Sequence, residues 1–455
     1  KGIDYAAENH FSLVIALDCG IKAIEKVAYA KSKGIDFIIC DHHTPENGNL
    51  LPDAVAVLDP KRLDSTYPDA NLSGCGVGFK FMQAFAISNG IEFKTLMPLF
   101  DLLAVSIASD IVPINGENRI LAYYGLKQLN SNPSLGMKCI IDVCGLSGKE
   151  ITISDIVFKI GPRLNASGRL QLATESVELL ISKDVTKAQE KSNCIDQCNK
   201  ERKDLDKSMT DEAVRELEEE GDVEKRSSIV IYNPNWNKGV IGIVASRLTE
   251  KYYKPTIVLT RSNGFATGSG RSVQGFDVYK AIESCRDLLE NFGGHTYAVG
   301  LTLRQENIPE FRRRFQEYVS GHILPEQTLP TLEIDEEIDF KDISKRLHSD
   351  LRKLAPHGPE NPKPLFLTRN VYDYGTSKVV GRHQEHIKLE LVDSKSAVVM
   401  NGIAFGQSAE ARYIKSKHSF DIVYTIEENT YKRGEVQLQI EDIRPSEDEQ
   451  LSANP

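Results

Sequence analysis

Residues 11–60 alternate strand and helix signals with almost no spare chain. FSLVIALD closes on Asp18. The amphipathic stretch IKAIEKVAYAKSKG then runs to Gly34, and IDFIICD and AVAVLD follow. Strands spaced by a helix imply βαβ units, so this part must build a parallel sheet. FSLVIALD reads as one of its buried strands. Ligands of open parallel sheets bind beyond the carboxyl ends of the strands, and there the sequence places its least ordinary tripeptide. Ile38, Ile39 and Cys40 run directly into Asp41, His42 and His43, while Asp18 closes the preceding strand.

Carboxylate and imidazole converging on one point are a ligand set for Mn²⁺, Fe²⁺ or Zn²⁺. A capping Asp with two surface histidines explains one such strand end; two matched ends are harder to explain that way. A third carboxylate, Asp110, stands near the end of the apolar helix in LLAVSIASDIVPINGENR. There it is either a helix cap or a charge that needs a partner. Asp59 also ends a strand, but Pro60 follows and it reads as a turn residue.

Several stretches suit phosphate. In GPRLNASGRL, Arg163 and Arg169 flank Asn165 and Ser167 in what reads as a Gly-bounded loop, and guanidiniums with small polar groups fit a phosphate. SGCGVG (73–78) precedes a helix whose N-terminus can hold an anion. It lacks the spacing and the preceding strand of a dinucleotide fingerprint. GSGRS carries Ser269 and Arg271 after a strand, and GGHTYAVG presents His295 beside Gly293 and Gly294, which let a backbone approach closely.

The remaining pattern divides the chain. Residues 79–130 and 170–220 read as largely helical, and 184–220 lacks Gly and Pro, as a helix connecting domains would. A second α/β unit follows. SSIVIY is a strand, NKGVIGIVASRLTEKY a helix, PTIVLT and GFATGSGRS a strand pair, FDVYKAIESCRDLLENF a helix, and NIPEFRRRFQEYVS a last helix. From residue 366, six short runs broken by turn residues predict a small all-β barrel or sandwich. The expected division is 1–183, a connecting helix 184–225, 226–325, a linker 326–365, 366–446, and a disordered acidic tail 447–455.

Composition narrows the setting. The eight cysteines are scattered with no C-x-x-C pair, which excludes a zinc ribbon and predicts reduced thiols in a cytoplasm. No apolar run approaches the roughly 18–20 residues of a membrane span, and the start does not resemble a signal peptide. A net charge of −10 lends nucleic-acid binding no support, yet local basic patches rather than net charge bind phosphate.

ALDCG, CDHH, SIASDIVP, GPRLNASGR, GSGRS and GGHTYAVG occur in the order found in the DHH phosphoesterase superfamily. GPRLNASGR, the helix with NKERKDLD, and LAPHGPENPKPLF before the β-rich part narrow the resemblance to RecJ-type single-strand exonucleases. The resemblance implies a DHH domain, a DHHA1 domain and an OB-fold that guides single strands. The implied activity is 5′→3′ hydrolysis of single-stranded DNA in repair and recombination, with two Mn²⁺ or Mg²⁺ ions. Asp18 would bridge the ions, His42 and Asp110 would hold one, Asp41 would support the site, and His43 would face the scissile phosphate. Arg163, Ser269, Arg271 and His295 would bind DNA phosphates. Tyr431, Tyr424 and Arg382 are candidates for the strand-guiding track, although core or solvated roles suit each. Family analogy adds a helicase and single-strand binding protein as partners of a monomer.

One element of the family pattern is missing. Its first motif, an Asp-x-Asp type cluster after a strand, should lie upstream of Asp18, and the 17 preceding residues contain none. The chain is therefore expected to be truncated, with a half-built metal centre and weak or no activity as it stands; a relative that has lost one metal is the other explanation. The rival enzyme is a DHH phosphodiesterase of short oligonucleotides or cyclic dinucleotides, with a pyrophosphatase further off. The non-enzyme rival is a DNA-binding relative with a decayed site.

Overall fold

The structure is a computed structural model and describes residues 1–45, 50–170, 173–429 and 434–446. Tyr431 and the acidic tail lie outside the described residues. The chain forms two compact units: Lys1–Pro133 with Glu150–Ile156 and Leu332–Pro455, and Ser134–Lys149 with Val157–Thr331.

The first unit opens with helix α1 (Gly2–Glu8), strand β1 (Leu13–Leu17), helix α2 (Ile24–Ser32) and strands β2 (Asp36–Cys40) and β3 (Ala56–Leu58). The three strands pair in parallel in the order β1-β2-β3, with Leu17 opposite Cys40 and Cys40 opposite Leu58. The ladder runs one step further, through Asp18 N–H to Cys40 O (2.8 Å) and Asp41 N–H to Leu58 O (3.0 Å). Asp18, Asp41 and Asp59 thus form one row along the carboxyl edge of the sheet. FSLVIALD is not the buried strand its composition suggests. As an edge strand, β1 leaves Leu13, Ile15 and Leu17 exposed.

Helices α3 (Gly74–Ser88), α4 (Phe100–Ser109) and α5 (Gly116–Ser131) follow. Ser73 caps α3, its buried Oγ accepting from Gly76 N–H at 3.1 Å. α4 is apolar nearly all round and buries Phe100, Leu103, Ala104, Val105, Ile107 and Ala108. It lies so close to α5 that a Cβ on Gly125 would stand 2.4 Å from Phe100 O and 2.6 Å from Ala104 Cβ.

The second unit begins with α6 (Leu135–Val143), α7 (Gly161–Leu170), α8 (Thr174–Ile181) and α9 (Val185–Glu220). GPRLNASGRL is therefore helical, not a loop. Its small residues Gly161, Ala166 and Ser167 are the buried side of α7, and Pro162 follows directly on the π-helical turn Ile156–Ile160. The Gly- and Pro-free stretch is one unbroken 36-residue helix, capped by Asp184 accepting from Thr186 and Lys187 N–H.

A five-stranded sheet follows in the order β4-β5-β6-β8-β7, from β4 (Ile229–Tyr232), β5 (Thr256–Ser262), β6 (Phe265–Arg271), β7 (Leu289–His295) and β8 (Ala298–Leu303). Helices α10 (Ile241–Tyr252), α11 (Val278–Glu283) and α12 (Ile308–His322) accompany it. The helix expected over FDVYKAIESCRDLLENF stops at Glu283. Leu289–His295 pairs with β8 instead, and Leu289 and Phe292 pack on the core there, so cross-strand pairing overrides helix propensity.

The first unit resumes with α13 (Lys345–Arg352) and strands β9 (Glu336–Glu337), β10 (Phe366–Asp373), β11 (Lys378–Val380), β12 (His386–Asp393), β13 (Val399–Ala404), β14 (Phe420–Glu428) and β15 (Val436–Pro445). The six runs read from the sequence are β10–β15. Strands β12-β13-β15-β14-β10 close into a five-stranded barrel because β10 also pairs with β12. The stretch 326–365 is more than a linker. Phe340 is buried in the barrel core, and its N–H is held by the buried Asp393 Oδ2 at 3.1 Å.

Gly125→Ala would drive a methyl group into the α4 backbone, so it should cost about 3 kcal/mol in chemical denaturation. A midpoint unchanged from the parent would contradict the packing described.

Candidate metal centre and phosphate-binding residues

Asp18 follows β1 in the left-handed region (φ +63°), which turns its carboxylate off the strand and against the first turn of α3. A Cβ on Gly74 would stand 2.0 Å from Asp18 Oδ1 and 2.7 Å from Asp18 Cβ, so only glycine fits there. The start of α3 thus lies directly against the chain's own Asp18.

His42 is 6% exposed. Its Nδ1 donates to Leu72 O at 3.1 Å, which directs Nε2 toward Asp18 Oδ1 (3.2 Å) and Asp110 Oδ2 (3.3 Å). Asp110 reaches this point as the C-cap of α4. The hydrogen bond to Asp18 and the charge of Asp110 hold the imidazole above its ordinary range despite burial. Burial pushes the Asp110 carboxyl up, with His42 opposing. Ligand atoms of Asp18, His42 and His43 all lie within 4.8 Å of one another, so His43 stands beside the cluster.

Asp41 is the buried hub of the row. Its Oδ2 accepts from Ile21 N–H (2.9 Å), and its Oδ1 accepts from His42 N–H (2.8 Å) and His43 Nδ1 (2.7 Å). Burial alone would raise this carboxyl, but these donors outweigh it and hold Asp41 below the usual range. It fixes both histidines through Oδ1. Asp59, expected to be a turn residue, is only half explained by that. Its Oδ1 accepts from Lys61 N–H (2.8 Å), but its Oδ2 is buried with no partner among the described residues, and burial pushes its pKa up.

In the second unit, Ser269 and Arg271 lie two apart on β6, and Arg271 Nη1 donates to Ser269 Oγ at 2.9 Å. A Cβ on Gly242, in the first turn of α10, would crowd Ser269 Oγ (3.1 Å) and Arg271 Nη2 (3.2 Å), so that helix N-terminus sits on the pair. Burial pulls Arg271 below its ordinary range, and the nearby charge of Arg169 adds to this. Arg169 Nη1 donates to Gly239 O at 3.0 Å, just ahead of α10. Ala298 on β8 pairs with both Arg271 and His295, which sets His295 two strands from Arg271 in register.

Of the other three side chains expected to bind phosphate, Arg163 and Ser167 are committed elsewhere. Arg163 is tied to Asp196 (2.8 Å) and to Lys159 O (2.9 Å), which straps α7 to α9. Ser167 is 1% exposed, with its hydroxyl bonded to Ser176 Oγ and Leu164 O. Helix formation over 161–170 turned both inward. Asn165 remains exposed. Tyr424 is a core residue whose hydroxyl meets Thr368, and Arg382 is exposed.

Family models match in three places: the DHH family N-terminal domain over residues 1–107, the DHHA1 domain over 226–321 and the RecJ OB domain over 334–442. Fold and site together define a DHH-family protein. The single-stranded-DNA-specific exonuclease RecJ of Bacillus subtilis is 37% identical over 443 residues, covering 97% of this chain and 55% of that protein. RecJ of Salmonella typhimurium is 30% identical, covering 97% of this chain and 79% of its own length. The crystal structure of RecJ from Thermus thermophilus in complex with Mn²⁺ superposes with a TM-score of 0.83 at 26% identity, over 97% of this chain and 64% of that one. The chain belongs to the RecJ family, and it spans about half the length of the Bacillus relative.

Two outcomes follow from the geometry of Asp18 and His42. Gly74→Ala should displace Asp18 and lower Mn²⁺ affinity by tenfold or more in calorimetry, with far-UV circular dichroism unchanged. A ligating imidazole must be neutral, so a bound cation expels the proton that Asp18 and Asp110 hold on His42. Affinity should therefore fall as pH drops through the raised His42 pKa and level off above it. Titrations near pH 6.5 in buffers of different ionisation enthalpy should register proton release that His42→Asn abolishes; equal release in both proteins would remove His42 from the ligand set.

Proposed function

We propose that the chain forms the catalytic core of a metal-dependent 5′→3′ exonuclease acting on single-stranded DNA. The observation that carries this reading is His42 Nε2, fixed by Leu72 O between the carboxylates of Asp18 and Asp110. The donor set fits Mn²⁺ or Mg²⁺ in its two carboxylates and Mn²⁺ in its imidazole. A divalent cation there supplies charge neutralisation to a phosphodiester and acidity to a water molecule. Asp18, His42 and Asp110 would hold it, and Asp18 would serve both ions where two bind. Asp41 keeps both imidazoles in place, and His43, tethered through Nδ1, turns its other nitrogen to the scissile phosphate. Arg271, Ser269, Arg169 and His295 grip the phosphates of the strand, and the exposed Asn165 adds a weaker contact.

The barrel supports a polymeric substrate rather than a dinucleotide. Its exposed aromatics Tyr372, Tyr374 and Phe405, with Lys378 paired to Lys388, offer stacking and charge to unpaired bases. These replace Tyr424 as the track. Nothing in the sequence marked them, because alternation along a strand does not say which side of a closed barrel faces water. Family resemblance supports a monomer working in the cytoplasm with a helicase and single-strand binding protein. Among the described residues no helix is long and apolar enough to cross a membrane.

The test is a Mn²⁺-dependent time course on 5′-phosphorylated single strand, duplex and dinucleotide, using this chain with its natural flanking sequence. Release of nucleotides from the 5′ end of the single strand is expected. Asp18→Ala should slow it about a thousandfold, the several kcal/mol that charge neutralisation supplies. Turnover of the dinucleotide alone would assign the protein to small-substrate phosphodiesterases. Tyr374→Ala should weaken binding of a long single strand by about 1–3 kcal/mol and leave a dinucleotide unaffected.

A further inference from the structure

The second unit holds a cavity of about 580 Å³ that the site described above does not use. Its walls are α9 (Arg202, Lys203, Asp206, Lys207), Arg247 of α10, and Phe158 in the π-helical turn Ile156–Ile160. π-turns inside helices often mark functional positions. This one presents an aromatic ring that is 73% exposed at the cavity wall.

Arg202 is the unusual wall residue. It is 8% exposed, and both Nε (3.3 Å) and Nη2 (3.1 Å) donate to a single acceptor, Oδ1 of the buried Asn199. The carboxylate of Asp206 is 4.0 Å from Nη1, beyond hydrogen-bond reach, and is shared with Arg247 at 3.6 Å. A buried guanidinium held this way has donors left over and a charge only partly balanced. Burial holds Arg202 below its ordinary range. Asp206 opposes this, and the charges of Arg169 and Arg247 add to it. Arg169 in turn acts on Arg271. Arg202 thus lies near two other cations, Arg169 and Arg247, and the latter is itself 3.6 Å from Asp206 and 4.0 Å from Glu250. Four cations against Asp206 and Asp211 leave the cavity itself positive.

We propose that this cavity takes a nucleotide unit of the bound strand, its phosphate on Arg202 and Arg247 and its base against Phe158. The proposal extends the phosphate-binding residues of the preceding reading and rests on it. Arg and a flat ring at one wall are what a phosphate with an attached base requires, since the guanidinium fork matches phosphate oxygens and every base has a face to stack.

Arg202 is too deeply placed for a clean test, so the exposed Arg247 and Phe158 carry it. Binding of a 5′-phosphorylated oligo(dT) would be followed by fluorescence anisotropy in EDTA over a range of salt, alongside binding of dAMP. Lys251→Ala removes a cation from the same helix outside the cavity and controls for net charge. Arg247→Ala and Phe158→Ala should each weaken oligonucleotide binding about tenfold. Arg247→Ala should also lower the slope of log K against log salt by about 0.7, one phosphate contact to a single strand. Variants no weaker than Lys251→Ala would overturn the proposal. A parent that binds dAMP, loses it on Phe158→Ala and ignores the oligonucleotide would make the cavity a mononucleotide site and refute the single-strand reading. A parent that binds neither would refute both.

Discussion

His42 is held at three points, and most of the first unit is arranged so that it can be. Leu72 O takes Nδ1, while Asp18 and Asp110 meet Nε2. Each contact depends on a different element. The parallel register of β1 and β2 puts Asp18 one step beyond Leu17 and His42 two steps beyond Cys40. The segment before α3 delivers Leu72 O, and the buried helix α4 delivers Asp110. Two carboxylates brought this close repel each other, and the cost is offset only by a positive charge between them. The hydrogen bond to Asp18 and the charge of Asp110 raise the His42 imidazole above its ordinary range, and a divalent cation would answer the same electrostatic demand with more charge.

The supporting residues show how such a centre stays ordered. Asp41 uses its oxygens on Ile21, His42 and His43, so the strand end is pinned before any ligand arrives. Gly74 gives up its side chain so that Asp18 can lie on the first turn of α3. The N-terminal dipole of that helix then favours the carboxylate where it is needed. Preorganisation of this kind lowers the cost of assembling a site at the moment of binding.

Arginines in the second unit divide by partner. Arg163 is neutralised by Asp196 and serves to hold two helices together. Arg271 has a hydroxyl and a carbonyl for partners, and Arg202 a single amide oxygen within hydrogen-bond reach, so both keep charge for an anion. A guanidinium held as closely by a carboxylate as Arg163 is by Asp196 has less charge to offer a polyanion.

Much of this was legible in the sequence. The βαβ alternation, the polar residues at strand ends, the unbroken α9 and the six strands β10–β15 all follow from period, length and punctuation, which are local properties of the chain. Asp18, His42 and Asp110 were readable for the same reason, since each ends a regular element. What the sequence did not contain was the identity of each neighbour. GPRLNASGRL has the composition of a loop and folds as a helix because its small residues pack inward. LLENFGGH has a helical beginning and becomes a strand because β8 lies beside it. Asp59 looked like a turn and is buried, one oxygen having no partner among the described residues. By itself the sequence determined which elements form and where their ends carry chemistry. Only the tertiary structure decided which side chains remain free for a ligand, because that depends on partners far away along the chain.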